Sequence, residues 1–336
     1  MEALVSVIIP VYNVRSFVCE ALDSVLGQTY QNLEILITDD GSNDGSETIC
    51  DEYAEKDSRI TVIHQENMGL STARNVVLNR MTGDYVAFLD PDDAFHPDMI
   101  RCLMETMQRN DAEIAVCGII SCCSLHGMKG ERGFVQEEYR QEEVLEKKTA
   151  LAALAAGSMN RCVWNKLYTA ELWKTVRFPD GHVYEDGCTL LRIIGLVDHV
   201  VLVPGCPVRH RIRPGSITQT RSAQNARDWM RARKQMESYV EENTPKLFVP
   251  GILEKMQDQT VQGMTAAWAK TVEDDREYAD NLRREILEKG RSLDRSSWDL
   301  RNRIAFQMLR FCPWMIPIIW PVYLFVRRLY MGITGR

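Results

Sequence analysis

The first 118 residues alternate between two hydrophobic periods. Short runs rich in Val, Ile and Leu (Val5–Pro10, Leu33–Thr38, Ile60–His64, Tyr85–Leu89 and Ile114–Cys117) end in polar turn residues and read as buried strands. Between them, apolar residues recur at helical spacing. In Val14–Leu26, Phe17, Val18, Ala21, Leu22 and Val25 share one face. Ser46–Glu55, Ser71–Arg80 and Pro97–Arg109 follow, the last with proline in its first turn. Alternation of strand and helix through short connections predicts an α/β fold: a Rossmann-like, mostly parallel sheet with helices on both faces.

The pattern then changes. Ser121–Lys148 is polar and charged, with Gly127, Gly130 and Gly133 near its start, and reads as a loop or partly ordered lid. Ala150–Ala156 predicts a helix, and Val200–Val203 and Val208–Ile212 two more strands. From Ser222 to Arg291 the pattern is amphipathic and helical, with Trp229, Met236, Tyr239, Met256, Met264 and Trp268 among its apolar positions. This places an α/β domain at 1–220, a helical region at 221–300 and a tail at 301–336. The tail carries a charge-free run, Phe311–Val326, interrupted by Pro313, Pro317 and Pro321 and interleaved with Trp and Tyr. Fully helical it would span roughly 24 Å, short of the ~30 Å hydrocarbon core. Arginines flank it, so an interfacial or re-entrant anchor is expected rather than a spanning helix.

Charge adds one asymmetry. The chain carries −7 overall, yet from Leu300 onward it has six arginines and no acid, which leaves −13 before that point. The overall sign gives no support for a nucleic-acid partner. The basic tail points to something anionic, such as a membrane surface. Ten cysteines show no CxxC spacing and no disulfide or zinc framework. With no basic leader before Val5, the expected setting is a reducing cytosol, with the protein peripheral at the inner face of the cell membrane.

Two aspartate clusters change the picture most. Leu33–Thr38 runs into Asp39-Asp40-Gly41-Ser42, and Tyr85–Leu89 runs into Asp90-Pro91-Asp92-Asp93. In open α/β sheets the ligand crevice lies outside the carboxyl ends of the strands. Carboxylates from two segments therefore converge on one crevice, where a cation or hydrogen-bond donors must hold them. The simplest reading is a site for a divalent metal and a nucleotide.

Val5–Asn13, Asp39–Ser42, Gly69-Leu70-Ser71-Thr72-Ala73-Arg74-Asn75 and Asp90–Asp93, in that order, resemble the signature of bacterial family 2 glycosyltransferases of the GT-A fold. The likeness is close over about the first 120 residues. It continues more loosely through Trp164–Tyr168, Glu185-Asp186-Gly187 and Arg211–Thr218. It implies sugar transfer from a nucleotide-sugar, most simply a UDP-sugar, to a hydroxyl of a glycan or lipid-linked acceptor. Polysaccharide, capsule or cell-wall assembly would be the setting.

On that resemblance, Pro10, Tyr12 and Asn13 would hold and stack on the base, and Asp40, with Asp39 beside it, would accept the base imide N–H. The same segment also reads as a turn with a helix cap at Ser42 or Asn43. Asp90-Pro91-Asp92 would be the DxD element. Asp92 would bind Mg²⁺ or Mn²⁺, Asp90 the ribose or a metal-bound water, and Asp93 would be a third member or a turn cap. Arg74 would pair with the diphosphate or with Asp40. Asn75 would brace its loop, and His64 is taken as structural. The resemblance assigns the catalytic base of an inverting single displacement to Asp186, with Glu185 as its neighbour; both also suit the start of a helix. Lys166, His210, Arg211 and Arg213 form a late basic group that could close over the leaving diphosphate, face anionic lipid or a pyrophosphate-linked acceptor, or simply form a solvated basic strand edge. Trp164 and Trp173 are candidates for the acceptor cleft. A nucleotidyltransferase would carry a Gly-rich phosphate loop where Val11-Tyr12-Asn13-Val14 stands. A non-catalytic nucleotide-sugar-binding scaffold remains the other alternative.

Overall fold

The structure is a computed structural model that describes residues 2–123, 133–181, 183–213, 215–216, 222–248, 250–271, 275–293, 298 and 300–315. The chain forms two compact units, Met1–Arg213 and Pro214–Arg336. The first is an α/β unit built on one nine-stranded sheet.

Its strands are β1 (Val5–Val11), β2 (Leu33–Asp39), β3 (Ile60–His64), β4 (Tyr85–Phe88), β5 (Ile114–Cys122), β6 (Phe134–Glu137), β7 (Glu143–Glu146), β8 (Lys166–Thr169) and β9 (His199–Arg211). Its helices are α1 (Val18–Leu26), α2 (Ser46–Lys56), α3 (Leu70–Leu78), α4 (Met99–Asn110), α5 (Lys147–Ala156), α6 (Leu172–Thr175) and α7 (Asp186–Ile194). The sheet order is β3-β2-β1-β4-β8-β5-β9-β7, with β6 paired to β5. β1, β2, β3 and β4 run parallel, as do β5 and β9; β8 lies antiparallel between β4 and β5. Every residue of β1 is buried. Successive strand residues face opposite ways, so the sheet is covered on both faces, as the continuous apolar runs require.

Pro10 tolerates its central strand for a local reason. The Ile8 carbonyl accepts from Leu89 N at 3.0 Å, while the Val11 carbonyl accepts from Asp40 N at 2.8 Å. Pro10 shares the side of Ile8, toward β4. There β4 has already turned away into Asp90, so no N–H is needed. The same departure opens the crevice.

Several expected elements differ. The first helix begins at Val18 rather than Val14: the residues before it form a turn, in which Phe17 N donates to the Val14 carbonyl at 2.8 Å and Val14 N to Ser46 Oγ at 2.9 Å. The polar stretch read as a loop or lid holds β6 and β7, which pair antiparallel with β5 and β9. These outer strands bury few side chains, Leu145 being one, so they leave no alternating signal. Gly127 and Gly130 of that expectation lie outside the described residues. The two late strands are one 13-residue strand, bent at Gly205 and Cys206, where φ is positive. Opposite the bend the β5 register shifts between Cys117 and Ile119, and Asn165 Nδ2 satisfies the Cys117 carbonyl at 2.7 Å. Trp173 is fully buried among Phe88, Tyr168 and Phe178, so it belongs to the core rather than to an acceptor cleft.

The second unit is helical: α8 (Ala223–Asn243), α9 (Ile252–Thr271), α10 (Arg276–Ser292) and α11 (Leu300–Phe311), then a 3₁₀ turn at Pro313–Met315. α9 packs against each of the other three helices, around Met230, Met264, Trp268, Ile286, Trp298 and Leu309. No helix among the described residues is long and apolar enough to cross a membrane. The tail run from Ile316 onward lies outside the described residues.

Candidate active site

Parallel pairing aligns the carboxyl ends of β2, β1 and β4. Val11 lies beside Asp39, and Leu89 donates to Ile8, so Tyr12-Asn13, Asp39-Asp40 and Asp90-Pro91-Asp92-Asp93 emerge along one edge. β8 runs the other way, which brings the residues just before it, including Val163, to that same edge.

Arg74, on α3, joins the pieces. Its side chain is 1% exposed and its guanidinium touches three carboxylates. Nη2 donates to Asp90 Oδ1 at 2.8 Å, and Nη1 donates to Glu185 Oε1 at 2.6 Å and Asp186 Oδ1 at 2.9 Å. The Phe178 ring lies 5.1 Å from its carbon centre. Asp186 Oδ2 also accepts from Val163 N at 3.2 Å. Three carboxylates around one cation leave excess negative charge. Burial pushes the Glu185 carboxyl up to about 8, with Asp186 adding and Arg74 opposing. Burial likewise raises Asp90 to about 6, against the lowering by Arg74 and with help from Asp92 and Asp186. Arg74 itself is held firmly charged: its burial opposes the charge, but Asp186, Asp90 and Glu185 outweigh it. The pairing expected between Arg74 and Asp40 is not made.

Asp40 is instead committed to the loop before α3. Its Oδ1 accepts from Gln65 Nε2 at 2.7 Å and Met68 N at 2.8 Å, and its Oδ2 from Gly69 N at 2.8 Å. Asp39 Oδ1 accepts from Ser42 N at 3.0 Å, while its Oδ2 meets His64 Nδ1 at 2.9 Å. His64, which also meets Asp51, has its pKa raised, chiefly by the bond to Asp39; it is structural, as expected. Asn13 ties the β1 end to the next loop, its N donating to Ser42 Oγ and its Oδ1 accepting from Asn43 N. Tyr12 stands 49% exposed beside this loop. Asn75 braces residues 178–180: it donates to the Phe178 carbonyl at 2.9 Å and accepts from Phe178 N at 3.1 Å.

The late basic group divides. Lys166 is fully buried, and its Nζ donates to the carbonyls of Asn160 and Cys162 and to Asn165 Oδ1. It braces the turn before β8 and does not join the others. His210 stacks on Trp164, 5.3 Å between centroids, and burial lowers its pKa. Arg211 locks the turn after β4. Its N donates to Asp93 Oδ1 at 2.8 Å, its Nε to the Asp92 carbonyl at 3.0 Å, and its guanidinium pairs with Glu20. Arg213 Nε reaches Asp92 Oδ2 at 2.7 Å. Asp93 faces inward, and burial pushes its carboxyl well up. Sequence reasoning missed Phe17 and Glu20, which support these arginines, and Gln65 beside Asp40; none stands in a motif that would single it out.

Open α/β sheets bind their ligands in the crevice at the strand carboxyl ends, and here that edge carries carboxylates. Comparison with known proteins narrows the class. A model of glycosyl transferase family 2 matches residues 6–172. The chain is 36% identical over 220 residues to the glycosyltransferase GlyA of Streptococcus pneumoniae serotype 4, covering 64% of this chain and 31% of that one. It is 31% identical over 226 residues to GlyG of the same organism, covering 66% and 74% respectively. The chain thus spans under a third of GlyA and about three quarters of GlyG. Among solved structures, Staphylococcus aureus TarS 1-349 in complex with UDP-GlcNAc superposes with a TM-score of 0.57 at 15% identity, covering 91% of each chain. The mannosyltransferase PcManGT from Pyrobaculum calidifontis, in complex with GDP-Man and Mn²⁺, gives 0.57 at 18% identity, covering 92% of this chain and 85% of that one. The chain belongs to glycosyl transferase family 2, and its fold is of the GT-A type.

The raised Glu185 carboxyl has a signed consequence. The folded state holds this proton more tightly than the unfolded chain, so the stability it lends is complete below about pH 4.5 and is lost as pH rises toward about 8. In metal-free buffer, the stability of Glu185→Gln relative to wild type should therefore increase between pH 5 and pH 8. Parallel urea melts across that range would show it, and a constant difference would place the Glu185 pKa in the ordinary range.

Proposed function

We propose that the protein transfers a sugar from a nucleotide-sugar, most simply a UDP-sugar, to an acceptor hydroxyl with inversion. The observation that carries this reading is the shared guanidinium of Arg74. It holds the Asp90 turn and Asp186 on opposite arms of one group, which sets a donor-binding carboxylate cluster against a candidate base. Asp186 takes the proton of the acceptor hydroxyl as that oxygen bonds to the anomeric carbon. The bond from that carbon to phosphate breaks, and its electron pair leaves with the nucleoside diphosphate.

The exposed Tyr12 ring is the platform for the base, with Pro10 and Asn13 shaping its backbone. Asp39 and Asp40 fix the neighbouring loops, and Asp40, with three of its roughly four acceptor positions used, keeps one for an imide N–H. Asp92, with Asp90 two residues away, suits a divalent ion. Two hard oxygen donors match an ion such as Mg²⁺ or Mn²⁺, which keeps phosphate and water ligands. Among the described residues no group of three or more His, Cys, Asp or Glu side chains could hold an ion unaided, which fits an ion that arrives with phosphate. Such an ion would neutralise charge on the leaving diphosphate. The Mn²⁺ and GDP-Man in the PcManGT structure favour the same chemistry.

The acceptor is inferred to be a glycan or lipid-linked glycan at the cytoplasmic face of the membrane, in polysaccharide, capsule or cell-wall assembly. Support comes from α11 and the turn beyond it, where Phe311 and Trp314 are each 67% exposed and Ile304 is 50% exposed. Arg301, Arg303 and Arg310 lie in the same segment without an acid, a combination suited to an anionic lipid surface.

Two outcomes are expected. Asp186→Asn abolishes sugar transfer, at least 10²-fold, and leaves UDP affinity within about twofold; transfer that survives would remove Asp186 from the base role. A chain ended after Leu309 stays in the supernatant when spun with anionic vesicles that pellet the full chain; a truncated chain that still pellets would place the membrane contact elsewhere.

A further inference from the structure

Asp92 and Arg213 form an ion pair in which both partners keep some exposure. Arg213 Nε donates to Asp92 Oδ2 at 2.7 Å, with the two side chains 18% and 16% exposed. Two residues earlier, Arg211 is built differently. Its side chain is 1% exposed and paired with Glu20, and its backbone and Nε hold Asp93 and the Asp92 carbonyl. Arg211 thus holds the turn after β4 at Asp93 and at the Asp92 carbonyl, whereas Arg213 meets the Asp92 side chain. Both guanidinium carbons sit 4.9 Å from the centre of the Phe17 ring. A guanidinium against an aromatic face keeps its charge and gives up little hydration, so the ring is a resting surface along which Arg213 can shift while Arg211 stays fixed.

We propose that Arg213 is the resident counter-cation of Asp92, and that it exchanges this carboxylate for the donor diphosphate when a divalent ion takes its place there. The inference deepens the reading of Asp92 as a metal ligand and rests on it. The guanidinium takes one of the carboxylate's roughly four acceptor positions, and its charge beside Asp92 opposes a second cation there, so Arg213 and a divalent ion compete for one carboxylate. Release of Arg213 costs a charge-assisted hydrogen bond, and a diphosphate close by restores one. Metal and nucleotide then bind cooperatively through one side chain. Each by itself must work against the Arg213–Asp92 pair, and together they satisfy both partners. Coupling of this kind is reciprocal: the ion raises nucleotide affinity by the factor by which the nucleotide raises ion affinity. The pair also covers the carboxylate against stray cations until a donor is present.

The test measures Mn²⁺ binding to the full chain by electron paramagnetic resonance of the free ion, with and without saturating UDP. In wild type, Mn²⁺ alone should bind weakly and UDP should tighten it strongly. In Arg213→Ala, Mn²⁺ alone should bind about tenfold tighter, because the competing cation is gone and the competent fraction of Asp92 rises. With UDP present the same variant should bind Mn²⁺ more weakly than wild type, so the coupling factor falls from both ends. Arg213→Gln, which keeps a donor without the charge, gives the same ordering and serves if the alanine variant melts early. A general electrostatic effect would tighten Mn²⁺ equally with and without UDP, and that result overturns the exchange. Unchanged Mn²⁺ affinity without UDP overturns it too, while normal Mn²⁺–UDP binding in wild type leaves the metal site standing. Failure of wild type to bind Mn²⁺ even with UDP removes the metal role of Asp92 and the exchange with it.

Discussion

The buried guanidinium of Arg74 is the contact on which the crevice depends. A cation at 1% exposure has lost nearly all its hydration and must be repaid by partners. It finds three: Asp90, just past the end of β4 that follows α3, and Glu185 and Asp186 at the start of α7, more than a hundred residues beyond Arg74. Removing one partner of such a pair typically costs about 3–5 kcal/mol, because the charge left behind is buried and uncompensated. The arrangement is also lopsided, with three acids facing one base. Burial first, with the neighbouring carboxylates adding to it, makes Glu185 and Asp90 hold their protons more tightly than ordinary carboxyls, and the Asp92 carboxylate next along the turn is met by Arg213. In the proposed reaction, charge balance in the crevice is set by protons, by Arg213 and by an ion carried with phosphate.

Sheet topology makes this possible. Parallel β1, β2 and β4 deliver their carboxyl ends to one edge, and antiparallel β8 delivers Val163 there from the other direction. Pro10 marks the point where β4 leaves β1. The loops are then fixed by side chains facing inward. Asp40 takes up the N–H groups ahead of α3 and so sets where Arg74 stands, and Asn75 on the same helix fixes residues 178–180, shortly before Glu185.

Much of this was legible in the sequence. β1, β2, β4 and β5 announce themselves because both of their faces are covered, so each reads as an apolar run closed by a turn, whereas edge strand β3 buries only Ile60 and was read from its β-branched residues. The aspartates at their ends follow from the same fact. β6, β7 and β8 were not legible. The first two are short outer strands with little buried surface, and β8, which overlaps Trp164–Tyr168, has only four residues. Motifs placed Asp90, Asp92, Glu185, Asp186 and Arg74 near one another but not the bonds between them. Arg74 meets Asp186 across a separation of 112 residues, which no local pattern encodes. The basic residues show the limit most clearly. Lys166, Arg211 and Arg213 look alike as charges, yet the first braces a turn, the second locks the β4 end and the third faces Asp92.

The account stands or falls on a nucleotide diphosphate site that needs the carboxylates after β4. Calorimetric titration of UDP into the full chain, with and without Mn²⁺, tests it directly, alongside Asp92→Ala. The account predicts binding that requires Mn²⁺ in wild type and is lost in the variant. UDP binding of equal strength with and without Mn²⁺, unchanged by the substitution, would contradict it.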